Sequence, residues 1–166
     1  QEVYPPGDHR FFVPMSHRAM NRLRRDFYTE AKLKGYELVS YVSSHATVLI
    51  DRGAIGDNCF ILEDNTVQPF VEIGDNVVLW SGNHIGHHSV IHDHAFVTSH
   101  TVISGHCVVG PSAFLGVNST VRDGVTIAEG SLVAMSASIT RDTEPWGVYR
   151  GVPARKGDVS SLDLDV

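Results

Sequence analysis

The chain has 166 residues, of which 42% are hydrophobic and 19% charged, and its net charge at pH 7 is −6. This composition supports a buried core and is atypical of disordered chains. The negative charge, with a pI of about 5.9, disfavours a general nucleic-acid binder or a protein that docks on anionic membranes. The apolar runs are too short for a transmembrane helix, and these residues contain no recognisable secretory signal.

The N-terminal residues predict a strand–helix–strand unit. Strands are expected over 10–13 and 37–42, and Ser16 is a candidate N-cap for a helix over 16–34. The face of this helix that is expected to be buried consists of Met20, Leu23, Phe27 and Ala31. Such a unit is typical of the last part of a small α/β domain, whose glycine-rich phosphate turn we expect before Gln1.

An aliphatic residue recurs at every sixth position across the centre of the chain. The series begins at Leu49 and ends at Ile139, and all sixteen members are Ile, Leu or Val. A mostly small residue follows four positions after each of them. This period differs from those of an α-helix and of a plain strand. It is typical of a hexapeptide β-helix, in which three hexads form one triangular coil and stacked coils pair their strands about 4.8 Å apart.

The predicted fold is therefore mostly β. It resembles the left-handed parallel β-helix of hexapeptide repeats, which we place at residues 45–141. A partial Rossmann-like α/β unit is expected at 1–44, and a closing segment with an acidic tail at 142–166.

The two cysteines indicate reduced thiols. The repeat places Cys59 and Cys107 on different faces and more than two coils apart, a separation that excludes a disulfide. Reduced thiols in a chain without a visible export signal predict a cytoplasmic location.

Histidines are concentrated in one part of the repeat, where seven of the ten lie between His84 and His106. Because the neighbouring inward positions are already assigned to Ile85, Ser89 and Ile91, His87 and His88 are predicted to lie on the surface at a corner of the coil. One coil further, Gly105 follows His87 in the same column, and its missing side chain would leave room for a ligand. A surface imidazole can accept a proton from an attacking amine or hydroxyl.

Three further motifs, together with the hexads, identify a resemblance. They are Gly86-His87, the FLGVNS stretch at 114–119, and Gly147 followed by Gly151-Val152-Pro153-Ala154. With them the chain resembles the sialic acid O-acetyltransferase-like sugar acyltransferases. This family of hexapeptide-repeat acetyltransferases includes the N-acetyltransferases of nucleotide-linked 4-amino sugars.

The resemblance implies an enzyme that transfers an acetyl group from acetyl-CoA, its co-substrate, to a sugar or nucleotide-sugar acceptor in polysaccharide biosynthesis. It also implies a Rossmann-like sugar-nucleotide domain and a homotrimer with active sites between subunits. Neither nucleic acid nor a membrane span is part of this prediction. Transfer to an amine is preferred over transfer to a hydroxyl, on the resemblance alone.

The resemblance also suggests roles for individual residues. His87 matches the catalytic general base, and its orienting group is open because His88 stands where related enzymes often have an acid. Asp93 is another candidate for that role. The implied cofactor-binding residues are Gly105, Val117 and Met135, and Arg155 is a candidate for the CoA phosphates, with Arg150 and Lys156 beside it.

The acceptor contacts are the least defined part of the predicted site. Phe96 occupies the place where some relatives have a second histidine, so His94 or His100 would have to take over the role of that histidine. Ser16 and His17, where a strand gives way to a helix, are the remaining candidates for substrate binding.

Two other functions are compatible with the repeat. One is a zinc-dependent hydratase of the γ-carbonic anhydrase type, with His87 and His92 as ligands, although Pro69, Asp51 and Gly105 stand where a third histidine would be expected on the same wall. The other is a non-enzymatic β-helix scaffold. Binding of acetyl-CoA, of zinc or of neither separates the three possibilities.

Overall fold

The structure is a computed structural model that describes residues 3–153 and 155–164. Ala154, the last residue of the closing motif, and the extreme ends of the chain lie outside these ranges. Helix α1 covers Arg22–Leu33, and short 3-10 helices lie at Arg52–Ala54 and Ser161–Asp163. The strands are β1 (Arg10–Phe11), β2 (Glu37–Leu38), β3 (Tyr41–Val42), β4 (Thr47–Val48), β5 (Phe60–Ile61), β6 (Thr66–Val67), β7 (Glu72–Ile73), β8 (Val78–Leu79), β9 (His84–Ile85), β10 (Val90–Ile91), β11 (Phe96–Val97), β12 (Val102–Ile103), β13 (Val108–Val109), β14 (Phe114–Leu115), β15 (Thr120–Val121), β16 (Thr126–Ile127), β17 (Leu132–Val133), β18 (Ser138–Ile139), β19 (Gly147–Arg150) and β20 (Arg155–Ser160).

The strands from β3 onward form the three sides of a left-handed parallel β-solenoid of about six turns, which confirms the predicted β-helix. Sheet A contains β3, β5, β8, β11, β14, β17, β19 and β20, sheet B contains β4, β6, β9, β12, β15 and β18, and sheet C contains β7, β10, β13 and β16. Successive turns pair in parallel with an offset of 18 residues, as in Val90 with Val108. At the C-terminal end β20 pairs with β19 in the antiparallel sense and closes sheet A.

The chain passes from sheet A to sheet B to sheet C through two-residue corners that stack along the solenoid. The AB corner comprises residues 63–64, 81–82, 99–100, 117–118 and 135–136. The BC corner comprises 69–70, 87–88, 105–106 and 123–124, and the CA corner 57–58, 75–76, 93–94, 111–112 and 129–130. The second residue of each pair has a positive φ, for example 58° at His88 and 55° at His106. Asn, Asp and His tolerate this left-handed conformation better than most side chains.

This corner geometry accounts for part of the histidine cluster. Four of its members, at positions 88, 94, 100 and 106, occupy successive left-handed corner positions. Their six-residue spacing therefore follows from the coil and does not by itself indicate a shared site.

The predicted inward positions form the core. The fourteen aliphatic residues at six-residue intervals from Ile61 to Ile139 are all 0–4% exposed. Each gains about 1.5–3 kcal/mol on burial relative to an exposed position. The residues two positions before them, such as Cys59 and Cys107, are buried beside this core, and both of these thiols are free.

The start of the series differs from the prediction. Val48, not Leu49, pairs with Val67, and Leu49 is 55% exposed. One additional residue lies between Val48 and Ile55, in the corner that contains the 3-10 helix Arg52–Ala54. The parallel ladder fixes the register on both sides of this corner, so the extra residue is accommodated in the turn and Leu49 moves outward.

The N-terminal residues form the predicted strand–helix–strand unit with different boundaries. β1 pairs in parallel with β2, whereas β3 pairs with β5 and is already part of the solenoid. The helix begins at Arg22, not at Ser16, because the chain first makes a turn in which Ala19, Met20 and Asn21 all have positive φ. Burial of Met20 against Leu132 and Val148 offsets the strain of this turn. The interpretation of the unit as part of a Rossmann-like domain remains a prediction.

Helix α1 packs along the CA corner mainly through polar side chains. The predicted apolar face is only partly correct, because Met20 and Ala31 are buried and Phe27 is not. Its buried residues are Arg24, Tyr28 and Ala31, whereas Phe27 is 45% exposed. Contacts with successive coils are made by the Asn21 amide to the Ser112 carbonyl (3.0 Å), the Arg24 guanidinium to the His94 carbonyl (2.6 Å), the Tyr28 hydroxyl to Asp75 (2.8 Å) and Lys32 to Asp57 (2.6 Å).

The match between helix and corner has a geometric reason. An α-helix rises about 5.4 Å per turn and coils stack about 4.8 Å apart, so roughly one helical turn faces one coil. The corner presents backbone carbonyls and carboxylates to the helix, which hydrogen-bond donors can satisfy and apolar side chains cannot. Burial lowers the pKa of Arg24 to about 10.

Candidate functional site

His87 and His88 lie on the BC corner, between β9 and β10, and both side chains are exposed as predicted. The backbone N–H of His87 donates to Oε1 of Gln68, 2.9 Å away. On the other side, the His87 carbonyl accepts the N–H of His106 at 2.9 Å. These bonds fix the backbone of the corner between the coils before and after it.

The imidazole of His87 extends over Gly105. A Cβ placed on Gly105 would lie 2.7 Å from Cε1 and 2.9 Å from Nε2 of His87. The imidazole of His87 therefore occupies part of the space that a side chain at position 105 would fill. Oδ1 of Asp123 would lie 3.1 Å from the same Cβ, so a carboxylate one coil further borders the same space.

Aromatic rings surround His87 on its other side. Nδ1 of His87 and Nδ1 of His88 are 3.0 Å apart, within hydrogen-bond distance. The ring of His88 stacks on that of His106, with centroids 4.8 Å apart, and contacts Phe70 at 4.6 Å. This stack restricts the rotation of His88 and so the direction in which His87 points.

The structure distinguishes between the two candidates for orienting His87. His88 contacts it directly, whereas Asp93 lies at the CA corner, where its Oδ1 accepts the backbone N–H of Asp75 at 2.8 Å. Asp123 was not selected from the sequence. The sequence feature that could have identified Asp123 is its separation of 36 residues from His87. This separation equals two coils and places both side chains in one column.

The predicted cofactor residues lie in three places. Val117 and Met135 stack on the AB corner, where the N–H of Ser136 donates to the Val117 carbonyl (2.8 Å), and they are 39% and 73% exposed. Gly105 is on the BC corner. Arg155, at the start of β20, lines a groove of about 520 Å³ together with Arg141 and Lys156.

The predicted acceptor residues are also divided. His100 belongs to the AB corner, where a Cβ on Gly82 would lie 2.4 Å from its Nδ1. Oγ of Ser16 lies 3.0 Å from Nδ1 of His17, and Ser16 lines a mostly apolar cavity of about 190 Å³ over sheet A. His17 packs between Phe96 and Phe114, at 5.0 and 4.9 Å between centroids, and burial lowers its pKa.

These places lie on different sides of the triangular solenoid. Sheet A, which carries Ser16 and His17, is opposite the BC corner with His87, and the AB corner with Met135 is separate from both. One chain therefore does not bring the acceptor, cofactor and catalytic candidates to one point.

His92, the second ligand of the predicted zinc alternative, follows β10 and so lies at the far end of that strand from His87. In the described part of the chain, His87 is grouped with His88 and His106 instead, with one ligand nitrogen of each within 4.8 Å of the others.

His94 is a half-buried histidine at the CA corner. Its Nδ1 lies 2.9 Å from the Asn76 amide, in a column in which Asn76 also accepts from Asn58 at 2.8 Å. Burial is the main cause that lowers the pKa of His94 from 6.5, with Arg24 and Arg25 acting in the same direction and Asp93 and Asp75 opposing it.

We therefore expect a His94→Asn variant to have a flatter dependence of stability on pH. As the pH falls below 6.5, the unfolded chain takes up a proton at His94 before the folded chain does, so the wild-type free energy of unfolding falls. Asparagine suits the φ of 64° and adds no titrating group. Urea denaturation at pH 8 and at pH 5.5 measures the difference. An equal fall in the free energy of unfolding between pH 8 and pH 5.5 in the wild type and the variant would contradict the role of His94. Both proteins should keep some pH dependence, because the pKa of His17 is also lowered.

Comparison with known proteins defines the class of this chain. Residues 54–87 match the family described as bacterial transferase hexapeptide (six repeats). The predicted resemblance to hexapeptide-repeat sugar acyltransferases is confirmed, and with it the class of enzyme, an acetyl or acyl transferase.

Solved structures give more specific similarities. PerB from Caulobacter crescentus, determined with CoA and GDP-perosamine, is 26% identical, with a TM-score of 0.83 over 89% of this chain and 70% of that chain. The acetyltransferase domain of PglB from Neisseria gonorrhoeae with acetyl coenzyme A is 20% identical, with a TM-score of 0.85 over 93% and 74%. AntD from Bacillus cereus, an N-acyltransferase with dTDP and 3-hydroxybutyryl-CoA, is 20% identical, with a TM-score of 0.64 over 76% and 86%. The last two similarities concern the fold.

No curated protein sequence is a significant match to the chain. None of the helices in the described residues combines the length and the hydropathy that a membrane crossing requires.

Proposed function

We propose that this protein transfers the acetyl group of acetyl-CoA to the amine of a nucleotide-linked amino sugar, with His87 as the general base. The observation that carries the proposal is the exposed imidazole of His87, directed over Gly105 at a corner of a hexapeptide-repeat solenoid. The similarity to PerB, whose structure contains CoA and GDP-perosamine, supports these substrates. A sugar or sialic acid hydroxyl is the alternative acceptor.

The contacts of His87 suit this role. When its Nδ1–H donates to Nδ1 of His88, Nε2 carries the lone pair that a general base needs. As the amine attacks the thioester carbonyl, a C–N bond forms and the C–S bond breaks. Nε2 accepts the amine proton and returns it to the sulfur of CoA. General-base assistance of this kind contributes about 10²–10⁴-fold to the rate.

The distribution of the candidate residues over the solenoid favours an assembly. We propose a homotrimer in which the AB corner of one chain, with Val117 and Met135, faces the BC corner of the next, with Gly105 and His87. Acetyl-CoA would lie along this seam, and Arg155 would meet its phosphates. A cytoplasmic location is part of the same proposal.

The acceptor would approach through the N-terminal unit. We propose residues 1–44 as the end of a sugar-nucleotide domain, with Ser16 and His17 beside the cavity over sheet A. His100, on the AB corner, is retained as a proposed acceptor contact from the neighbouring chain. Asp93, the second candidate for orienting His87, lies on the CA corner and outside this seam.

Calorimetric titration with acetyl-CoA tests the donor. We expect one molecule bound per chain with a micromolar dissociation constant, and an affinity that is lower by about tenfold or more in Met135→Glu, because the added charge would repel the CoA phosphates. Leu49→Glu, which adds the same charge at another exposed position, is the matched control. Failure of the assembled wild type to bind acetyl-CoA would overturn the proposal. A panel of nucleotide-linked sugars with an amine or a hydroxyl then identifies the acceptor.

A further inference from the structure

We infer that His87, His88 and His106 form a binding site for a transition-metal ion of the Zn²⁺ class, and that metal binding there switches off acyl transfer. The metal site follows from the geometry of the three side chains. The inhibition rests, in addition, on the proposed role of His87 as the general base.

The three ligand nitrogens are already close together. One ring nitrogen of each histidine lies within 4.8 Å of the other two, and Nδ1 of His87 and Nδ1 of His88 are 3.0 Å apart. Tetrahedral zinc binds imidazole nitrogen at about 2.0–2.1 Å, which places two ligand nitrogens roughly 3.4 Å apart. The His87–His88 pair is therefore near the required spacing, and small side-chain rotations in the three residues would bring their nitrogens to ligand distance.

The backbone that carries these side chains is fixed. The N–H of His106 donates to the His87 carbonyl at 2.9 Å, and β9 pairs with β12 directly before both corners. A preformed backbone means that the ion orders three side chains and does not have to fold a loop, which lowers the entropic cost of binding.

The chemistry of the donors selects the class of ion. Three neutral imidazoles suit Zn²⁺, Cu²⁺, Ni²⁺ or Co²⁺ and do not suit Mg²⁺ or Ca²⁺, which prefer oxygen ligands. All three residues are exposed, so an ion can enter from solvent.

Other clustered histidines have different surroundings. Nδ1 of His94 is within hydrogen-bond distance of the Asn76 amide at the CA corner, and His100 lies against Gly82 at the AB corner. His100 shares the exposed, left-handed corner geometry of His106, with φ of 58° and 55° respectively. His100 is therefore a matched control: its replacement removes an exposed corner histidine but leaves the cluster of His87, His88 and His106 intact.

Metal binding and base catalysis compete for the same ring. A coordinated His87 is held by the ion together with His88 and His106. Coordination through Nδ1, the nitrogen that faces His88, leaves the ring proton on Nε2, which then has no lone pair for the amine proton. The expected result is reversible inhibition that a chelator removes.

Binding is measured on the chelator-treated full chain, by calorimetry with ZnCl₂ and by the visible absorption of added Co²⁺. We expect one ion per chain at micromolar affinity or tighter, and an affinity lower by about tenfold or more in His106→Asn. His100→Asn makes the same change at an equivalent backbone conformation and should bind as the wild type does. Equal affinity of the two variants, or no binding to the wild type, would overturn the metal site.

Inhibition is measured separately, with acetyl-CoA and an accepted sugar. Zn²⁺ should inhibit the wild type, EDTA should restore it, and His106→Asn should require about tenfold more Zn²⁺ for the same inhibition. Binding without inhibition would leave the metal site and overturn the inhibitory role. A metal-free wild type that transfers no acetyl group would instead contradict the proposed function, while the Co²⁺ spectrum would still report on the site.

Discussion

Replacement of His87 by asparagine is expected to lower kcat for acetyl transfer by about 10²–10⁴-fold, the usual contribution of a positioned general base. The affinity for acetyl-CoA should change little, because the proposed CoA contacts lie at the AB corner and in backbone groups. Steady-state kinetics with the accepted sugar, together with calorimetry, separates the two effects. A loss of acetyl-CoA binding with no change in kcat would contradict the assigned role.

The matched control is His92→Asn, which removes an exposed histidine at the far end of β10 and should retain wild-type activity.

Gly105→Ala is a second, independent variant that tests the position of the His87 imidazole. Its Cβ would lie 2.7 Å from Cε1 of His87, so the imidazole must move. We expect kcat to fall by about 10–100-fold, since small misplacements of reacting groups are costly. Gly53→Ala, where an added Cβ meets nothing within 4 Å, should have no such effect.

The largest effect on stability is expected for Leu115→Ala. Leu115 is fully buried in the centre of the solenoid core, and truncation of such a side chain costs about 2–5 kcal/mol in transfer and cavity terms. Leu49→Ala should change the free energy of unfolding by less than about 0.5 kcal/mol, because Leu49 is 55% exposed.

Urea denaturation of both variants, at one protein concentration, measures this difference. The comparison tests the register directly, because the two leucines are equivalent in the six-residue series of the sequence and differ only in the structure. Similar losses in the two variants would show that the series starts at Leu49 and that the extra residue is elsewhere.

Much of the solenoid could be predicted because its periodicity is local. An inward aliphatic residue is required at each strand regardless of what the distant chain does, so the spacing alone placed the core from Ile61 to Ile139. The start of the solenoid could not be predicted in this way. A corner can absorb an additional residue, and only the pairing of Val48 with Val67 decides which side chain points inward.

The helix illustrates a different limit. An apolar face was expected for α1. The structure buries Ala31 and Met20 of that face, but it also buries Arg24 and Tyr28 and leaves Phe27 exposed. Sequence periodicity predicts the buried face of a helix when that helix packs against apolar side chains. Here the partner is a column of corner carbonyls and carboxylates, which becomes visible only after the solenoid has formed.

For the candidate site, the sequence determined that an exposed histidine stands at a corner with a glycine one coil further, because both positions follow from the repeat. The tertiary structure decided the rest. The direction of the imidazoles depends on stacking between coils, which places His88 and not Asp93 beside His87 and adds His106 and Asp123 to its surroundings. Side chains 18 or 36 residues apart meet only because hydrogen bonds between coils fix the axial register, and that register is a property of the whole solenoid.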